Sequence, residues 1–244
     1  FEIRFDYDVF KKGPWSLRIG ANASRNINKV EKLPSTYVQE NYSFGNGKYA
    51  LRIVEGQPIG AFYGYHYQGV YQNTAETYAK DASGNVMYDI NGKAITMRNG
   101  STLVYPGDAK YEDVNHDGVI NEKDIVYLGN ANPKLIFGGN LNLKWKDLTL
   151  TAVIYGRLGQ KVINSARMNL ESMYGKGNQS TAVLHRWRAE GDVTDIPRAL
   201  YGMGYNYLGS DRFVEDATYV RLKTLTLNYS IPKKFLTKLG WGIT

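Results

Sequence analysis

"LIFGGNLNLKWKDLTLTAVIYGRL", residues 135–158, decides the fold. Its first half sets Leu135, Phe137, Leu141, Leu143 and Trp145 against Asn140, Asn142 and Lys144. That period of two is what an extended strand needs in order to present one apolar and one polar face. Lys146 and Asp147 make a turn, after which Leu148, Leu150, Ala152, Ile154 and Leu158 alternate with Thr149, Thr151, Tyr155 and Arg157. The stretch therefore predicts a β-hairpin whose two arms share a greasy face.

The chain opens on the same pattern. In "FEIRFDYDV" Phe1, Ile3, Phe5, Tyr7 and Val9 alternate with Glu2, Arg4, Asp6 and Asp8. After the tight polar turn "FKKGP", with Gly13 and Pro14, Trp15, Leu17, Ile19 and Ala21 alternate with Ser16, Arg18, Gly20 and Asn22. Near the other end, in "YVRLKTLTLNYSIP", Val220 and Leu222 share one parity while Leu225, Leu227, Tyr229 and Ile231 share the other. A β-bulge near Lys223 and Thr224 would reconcile the two halves, and barrels place bulges at their rims.

Alternation alone fits both a soluble β-sandwich with one wet face and a membrane barrel with a polar interior. Two features favour the barrel. Each arm has about the 9–11 residues a tilted strand needs to cross a bilayer, and each hairpin carries an aromatic near its short turn, where an interfacial girdle would lie. The hairpin turns are short, whereas residues 29–134 and 159–218 are long and rich in Gly, Asn, Tyr and Asp, connections that compact soluble domains rarely carry. The expected fold is all-β, part of a large antiparallel transmembrane β-barrel with long extracellular loops. Strands are expected near 1–10, 15–28, 135–145, 148–158 and 219–231, antiparallel neighbours in a curved sheet, with Phe1, Ile3, Phe5, Leu141, Leu143, Leu148 and Leu150 facing lipid.

Composition is consistent with this and excludes little. The 244 residues are 43% hydrophobic and 22% charged, with 20 Tyr, 26 Gly and no Cys. A chain without cysteine fits a compartment where thiols are a liability and disulfides are not needed, such as a periplasm or cell surface. The net charge of +7 comes from dispersed Lys and Arg with no basic run, which argues against nucleic acid as a partner. No apolar run reaches the roughly 18 residues of a membrane-spanning helix. The chain opens directly on a strand pattern, without a signal peptide, and stops at "LGWGIT" without a closing element, so it reads as a piece of a longer protein.

Four blocks, in order, resemble one family: "VEGQPIGAFYGYHYQGVYQ" (54–72), "GDAKYEDVNHDGVINEKDIVYLGNANPKLIFGGNLNLKWKDLTL" (107–150), "HRWRAEGDVTDIPRA" (185–199) and "YVRLKTLTLNYSIPKKFLTKLG" (219–240). They are similar to the C-terminal part of a SusC/RagA-type TonB-dependent outer-membrane transporter. The resemblance implies residence in the outer membrane of a Gram-negative bacterium. It implies a barrel of about 22 strands around a plugged lumen, with the charged face of residues 1–9 turned to that wet interior or to the plug. The plug, the TonB-contacting box and the early strands would precede Phe1, and the final strands would follow Thr244. A SusD-like surface lipoprotein would capture an oligosaccharide or another large nutrient, and energised TonB would remodel the plug to admit it. Some members of the family carry peptides rather than glycans.

"DVNHDGVINEKD", residues 113–124, has the spacing of an EF-hand calcium loop. In that arrangement Asp113, Asn115 and Asp117 donate side-chain oxygens, Gly118 makes the sharp turn, Val119 offers its carbonyl, Asn121 binds directly or through water, and Asp124 closes the site. The stretch also resembles a dockerin repeat, but no second copy is present. Structural Ca2+, a hydrogen-bonded Asx-rich turn and a calcium sensor all fit this spacing. No organic cofactor is indicated.

The aromatic run "AFYGYHYQGVYQ" offers Phe62, Tyr63, Tyr65, Tyr67 and Tyr71 as candidate stacking surfaces for substrate. Against that stands packing of the loop by these rings against the barrel rim or the partner protein. His66, His116 and His185 are isolated, without a nucleophile or metal spacing, and Trp187 reads as a loop anchor. No phosphate-binding glycine loop, nucleophile elbow or metalloprotease helix is present, so an enzyme is not expected. "DASGNVMYDINGKAITMRNGSTL" (81–103) reads as a variable insertion in a surface loop with no assigned role. The alternatives are a secreted or surface β-rich, calcium-clipped binding module, and a glycan hydrolase, which would need a converging carboxylate pair.

Overall fold

The computed structural model describes residues 1–37 and 43–238, so "LGWGIT" lies outside the described residues. The chain divides into two compact units, one of residues 1–27, 132–160 and 216–244, the other of 28–131 and 161–215.

The first unit is a five-stranded antiparallel sheet: β1 (Glu2–Lys12), β2 (Trp15–Ser24), β3 (Leu135–Trp145), β4 (Leu148–Leu158) and β5 (Tyr219–Tyr229), hydrogen-bonded in that order. β2 ends at Ser24 rather than 28, and β5 at Tyr229 rather than 231. The register carries the alternation across every strand. Tyr7, Ile19, Leu141, Ala152 and Leu225 form one row, and Phe10, Leu17, Leu143, Leu150 and Leu227 the next. A third row, at the short turns, sets Trp15 beside Trp145 with ring centres 5.6 Å apart and ends on Tyr229. All these side chains share one face.

Two bulges make this possible. One falls on Lys223: Thr224 pairs with Val153 and Leu222 with Ile154, which returns Val220 and Leu222 to the face of Leu225 and Leu227. The other, which alternation did not predict, falls on Val9 between Asp8 and Phe10 and brings Phe10 opposite Leu17. Val9 therefore leaves the row it was assigned to, and β1 runs on to Lys12.

The apolar face is open. Ile3, Leu225 and Leu227 are 62%, 63% and 64% exposed, and Phe1, Phe5 and Val220 are exposed with them. Leu141, Leu143, Leu148 and Leu150 are half-buried by their strand neighbours. They do not fill a closed sandwich core. The opposite face carries Asp8, Arg18, Asn142, Thr151 and Thr226 in one row and Arg4, Asn22, Gly138, Tyr155 and Arg221 in another. Eleven residues at about 3.3 Å each, tilted by about 45°, span about 25 Å, the height of a barrel's apolar band.

The short turns are tied together. Lys146 adopts a left-handed φ of 52° and donates its N–H to the Pro14 carbonyl at 2.8 Å, while Ser230 donates to the Asp147 carbonyl at 2.8 Å. Gly156 gives close passage: a side chain there would meet the Phe137 ring at 2.5 Å from its Cβ.

The second unit has its own core. Its short strands pair Ala61–Gly64 with Val126–Asn130, Tyr67–Val70 with Ala109–Tyr111, and Arg98–Asn99 with both Thr102–Leu103 and Val119–Ile120. Tyr63, Tyr65, Tyr71, Tyr111, Ile120 and Leu208 bury together. The segments read as long loops thus fold on each other, because their aromatics supply enough apolar area for a core. Within 81–103 two Asx turns repeat. Asp81 Oδ1 accepts from Ser83 and Asn85, and Asp89 Oδ1 from Asn91 and Lys93, each at 2.9 Å, closing a small meander.

Candidate functional site

The 113–124 loop winds around its own carboxylates. Asp113 Oδ1 accepts from the Asp117 N–H at 3.2 Å and Oδ2 from Gly118 at 2.8 Å. Asn115 Oδ1 accepts from Asp117 at 3.2 Å, and Asp117 Oδ1 from Val119 at 2.9 Å. His116 and Gly118 both take left-handed backbone, with φ of 57° and 80°. A Cβ at Gly118 would also lie 3.0 Å from that of Ala79, so the sixth position needs glycine twice over. Asp124 is fully buried and forms a capping box with Asn121, accepting from Val114 at 2.9 Å and from Asn121 at 2.8 Å. Lys123 Nζ lies 3.5 Å from Asp117.

Two acids in this loop titrate in opposite directions. Burial pushes the Asp124 carboxyl above its usual range, and nearby Asp113 adds to the rise. Burial works the same way on Asp117, but the Asn115 amide, the Val119 N–H and Lys123 outweigh it and hold that carboxyl below its usual range. Asp113, Asn115 and Asp117 thus gather around one turn while Asp124 faces backbone donors. Among the described residues, no three His, Cys, Asp or Glu side chains form a metal-binding group. Asp113 and His116 also line a cavity of about 180 Å³ with Tyr71, Tyr111, Lys110 and Glu76.

The aromatic run does not form an open stacking platform. Tyr63, Tyr65 and Tyr71 are at most 5% exposed, and Phe62 and Tyr67 are half-buried. Strand alternation sends Tyr63 and Tyr65 into the unit, where Tyr65 packs 5.7 Å from the Tyr111 ring. Burial raises the Tyr71 phenol, with Asp113, Asp108 and Glu76 adding to it, and raises that of Tyr67 against the pull of Arg212. Trp187 is buried against Gly107, whose φ of 87° and closeness to the ring leave no room for a side chain. His66 pairs with Asp211, and the carbonyl of His185 accepts from the Thr194 hydroxyl at 2.6 Å.

Sequence reasoning missed the charged groups that lock this unit. Arg212, 5% exposed at its side chain, donates to Glu171 at 2.8 Å, and Glu171 also accepts from Arg167 at 2.9 Å. The Arg212 guanidinium lies 5.2 Å from the Tyr67 ring centre and 5.0 Å from that of Phe213. Arg198 pairs with Asp108 at 2.7 Å, and Asn206 bridges both. Glu171–Arg212, Asp108–Arg198 and Asp108–Asn206 lie 41, 90 and 98 positions apart and leave no local pattern to read.

In the five-stranded sheet the candidate site is the pair of faces itself. One is an open apolar surface with a row of aromatics at its short turns, and the other is polar and charged. A contiguous open apolar face of this size marks contact with lipid or protein rather than water. Among the described residues no helix is long and apolar enough to cross a membrane, a finding without bearing on crossing by strands.

Comparison with known proteins gives relatives along nearly the whole chain. It is 30% identical over 222 residues to TonB-dependent receptor P3 of Formosa agariphila, covering 90% of this chain and 20% of that protein. It is 32% identical over 214 residues to TonB-dependent receptor P26 of the same organism, covering 86% and 19%. The chain therefore spans about a fifth of the length of these relatives. Its fold is similar to that in the structure of the RagAB peptide transporter, with a TM-score of 0.65 and 21% identity over 97% of this chain and 23% of that one. The RagAB peptide importer in its closed-closed state gives a TM-score of 0.62 at 20% identity, over 96% and 23%. No family model matches.

Proposed function

Because this chain is part of a large antiparallel barrel of the SusC/RagA type of TonB-dependent transporter, we propose that the whole protein imports oligosaccharides across the outer membrane of a Gram-negative bacterium. It does so with a SusD-like surface lipoprotein. The observation that carries this reading is the sheet: five strands, with bulges that keep their rows aligned, present one apolar face and keep charge and amide groups on the other. In a barrel the second face lines a wet interior, where a plug and a passing polar substrate meet it. A secreted binding module would have to cover the apolar face to stay soluble. Peptide import is the second reading, favoured by the fold shared with RagAB, which carries peptides.

The folded insertions supply the capture end. Both leave the sheet at the end opposite its short turns, the side on which outer-membrane barrels carry their long extracellular segments. Detergent extraction of the tagged full-length protein from native membranes should co-purify one SusD-like lipoprotein in near-equal amount. A barrel recovered alone under mild detergent would count against the lid.

For the 113–124 loop we propose a structural calcium ion held by Asp113, Asn115, Asp117, Val119, Asn121 and Asp124. Each carboxylate oxygen keeps a lone pair beyond the one its N–H donor uses, and a cation would offset the cost of holding Asp113 near the buried Asp124. Calcium should enter with oxygens at about 2.3–2.6 Å. Chelator, and equally Asp117→Ala, should raise proteolysis between about Tyr105 and Gly129 by several fold, consistent with a local loss on the order of 1–2 kcal/mol. If calorimetry of the full-length protein detects no calcium binding and chelator leaves the cleavage rate unchanged, the hydrogen-bonded turn is the whole account.

A further inference from the structure

We propose that the polar face of the sheet carries a binding site for an acidic sugar, in which Arg157 and Arg221, framed by Tyr155 and Tyr219, hold the carboxylate or sulfate of an anionic oligosaccharide. The proposal rests on the import reading and names the substrate class that the interior would favour.

The site is built by register. Tyr155 pairs with Arg221 and Arg157 with Tyr219, so two tyrosines and two arginines form a checkerboard on β4 and β5 at the end from which the insertions leave. Arg157 Nε donates to the Tyr155 hydroxyl at 2.6 Å. Arg157 and Arg221 both lie 5.7 Å from the centre of the Tyr155 ring, and Arg221 lies 5.5 Å from that of Tyr219. The rings are 6.1 Å apart. Both arginines are exposed.

Charge separates this patch from the polar face of β1 and β2. On β1 and β2, Arg4 pairs with Asp6, and Arg18 and Lys11 with Asp8. Arg157 and Arg221 have no such carboxylate: among the described residues neither makes an ion pair. Two like charges that share one ring repel each other, and an oxyanion between them turns that repulsion into two attractions. Guanidinium forks match the planar oxygens of a carboxylate or the tetrahedral ones of a sulfate and can bind them bidentately. The tyrosines add ring faces and hydroxyls suited to a sugar's C–H surface and its hydroxyl groups. On β3 the position beside Tyr155 is Gly138, and over it lies the amide of Asn22 on β2, a neutral group that adds no competing charge. The opposite side of these strands is the apolar face, which keeps a lipid headgroup away from the patch.

The test uses detergent-purified full-length protein and calorimetry with three probes: the trimer of galacturonic acid, its methyl ester, and triglutamate. The acid trimer should bind more tightly than the ester, and added salt should weaken it. Arg157→Gln and Arg221→Gln should each weaken acid-trimer binding about tenfold, and ester binding should not change. The double lysine variant R157K/R221K should recover part of the loss, since it keeps the charge without the fork. Heat-modifiable migration on gels verifies that each barrel is folded, and the acid-to-ester comparison on unmutated protein needs no variant. Equal binding of acid and ester would overturn the proposal, as would acid binding that ignores both arginines. Triglutamate binding at least as tightly with the same arginine dependence would replace the sugar by an acidic peptide and overturn it too. TonB-dependent growth on a neutral oligosaccharide, with acid binding indifferent to both arginines, would leave import standing and remove this site alone.

Discussion

Leu141→Arg, introduced into the full-length barrel and refolded in lipid vesicles, is expected to cost about 2–4 kcal/mol of folding stability. Leu141 stands at the middle of β3 in the row Tyr7, Ile19, Leu141, Ala152 and Leu225, near the mid-height of the apolar band. An arginine there must shed its hydration or drag water into hydrocarbon, and its stem is too short to reach either interface from mid-strand. Thr224→Arg is the matched control. Thr224 lies in the row Asp6, Gly20, Asn140, Val153 and Thr224 on the polar face, and its substitution should stay within about 0.5 kcal/mol. Denaturant titration in vesicles reads both. If Leu141→Arg were as mild as its control, the open face would not be facing lipid, and the barrel reading would lose its principal support.

The second large effect concerns energy. Deleting the TonB-contacting segment of the full-length protein should reduce growth on a polymeric nutrient to background while leaving surface binding of that nutrient intact. A barrel of about 22 strands is wide enough to need a plug, and a plug opens only if something favours its displaced state. Energised TonB is the proposed source of that preference, so uptake should stop without it even though capture continues. Growth that survives the deletion would instead describe a passive porin, with the polar face lining an open channel.

Much of the sheet was legible because its signal is local. Alternation is set by backbone geometry within one strand, so the residues 135–158 hairpin, its turn at Lys146 and Asp147, and its lipid-facing side chains follow from the order of residues alone. Even the slip in β5 was readable: one extra residue reverses parity, and the bulge at Lys223 restores it. The Val9 bulge was not readable, because "FDYDVF" continues without a break in alternation until Phe10. What places a bulge there is the partner strand, which must set Leu17 opposite Phe10 and Trp15 opposite Lys12.

The second unit shows the opposite case. The spacing of 113–124 is a local pattern, and its turn forms around Asp113 and Gly118 as that spacing requires. The fate of the aromatics is not local. Tyr65 and Tyr71 offer a substrate and a core the same ring, and nothing within a dozen residues says which will claim it. The choice is made by Leu208, Tyr111 and Ile120 closing over them, and by Arg212 laying its charge on Tyr67 from far along the chain. The sequence by itself determined which face each strand turns to lipid, since that depends on neighbours two positions away. Only the tertiary structure decided that the long connections are a folded unit and that Arg157 and Arg221 meet no acid among the described residues, since burial and charge balance depend on which distant segments meet.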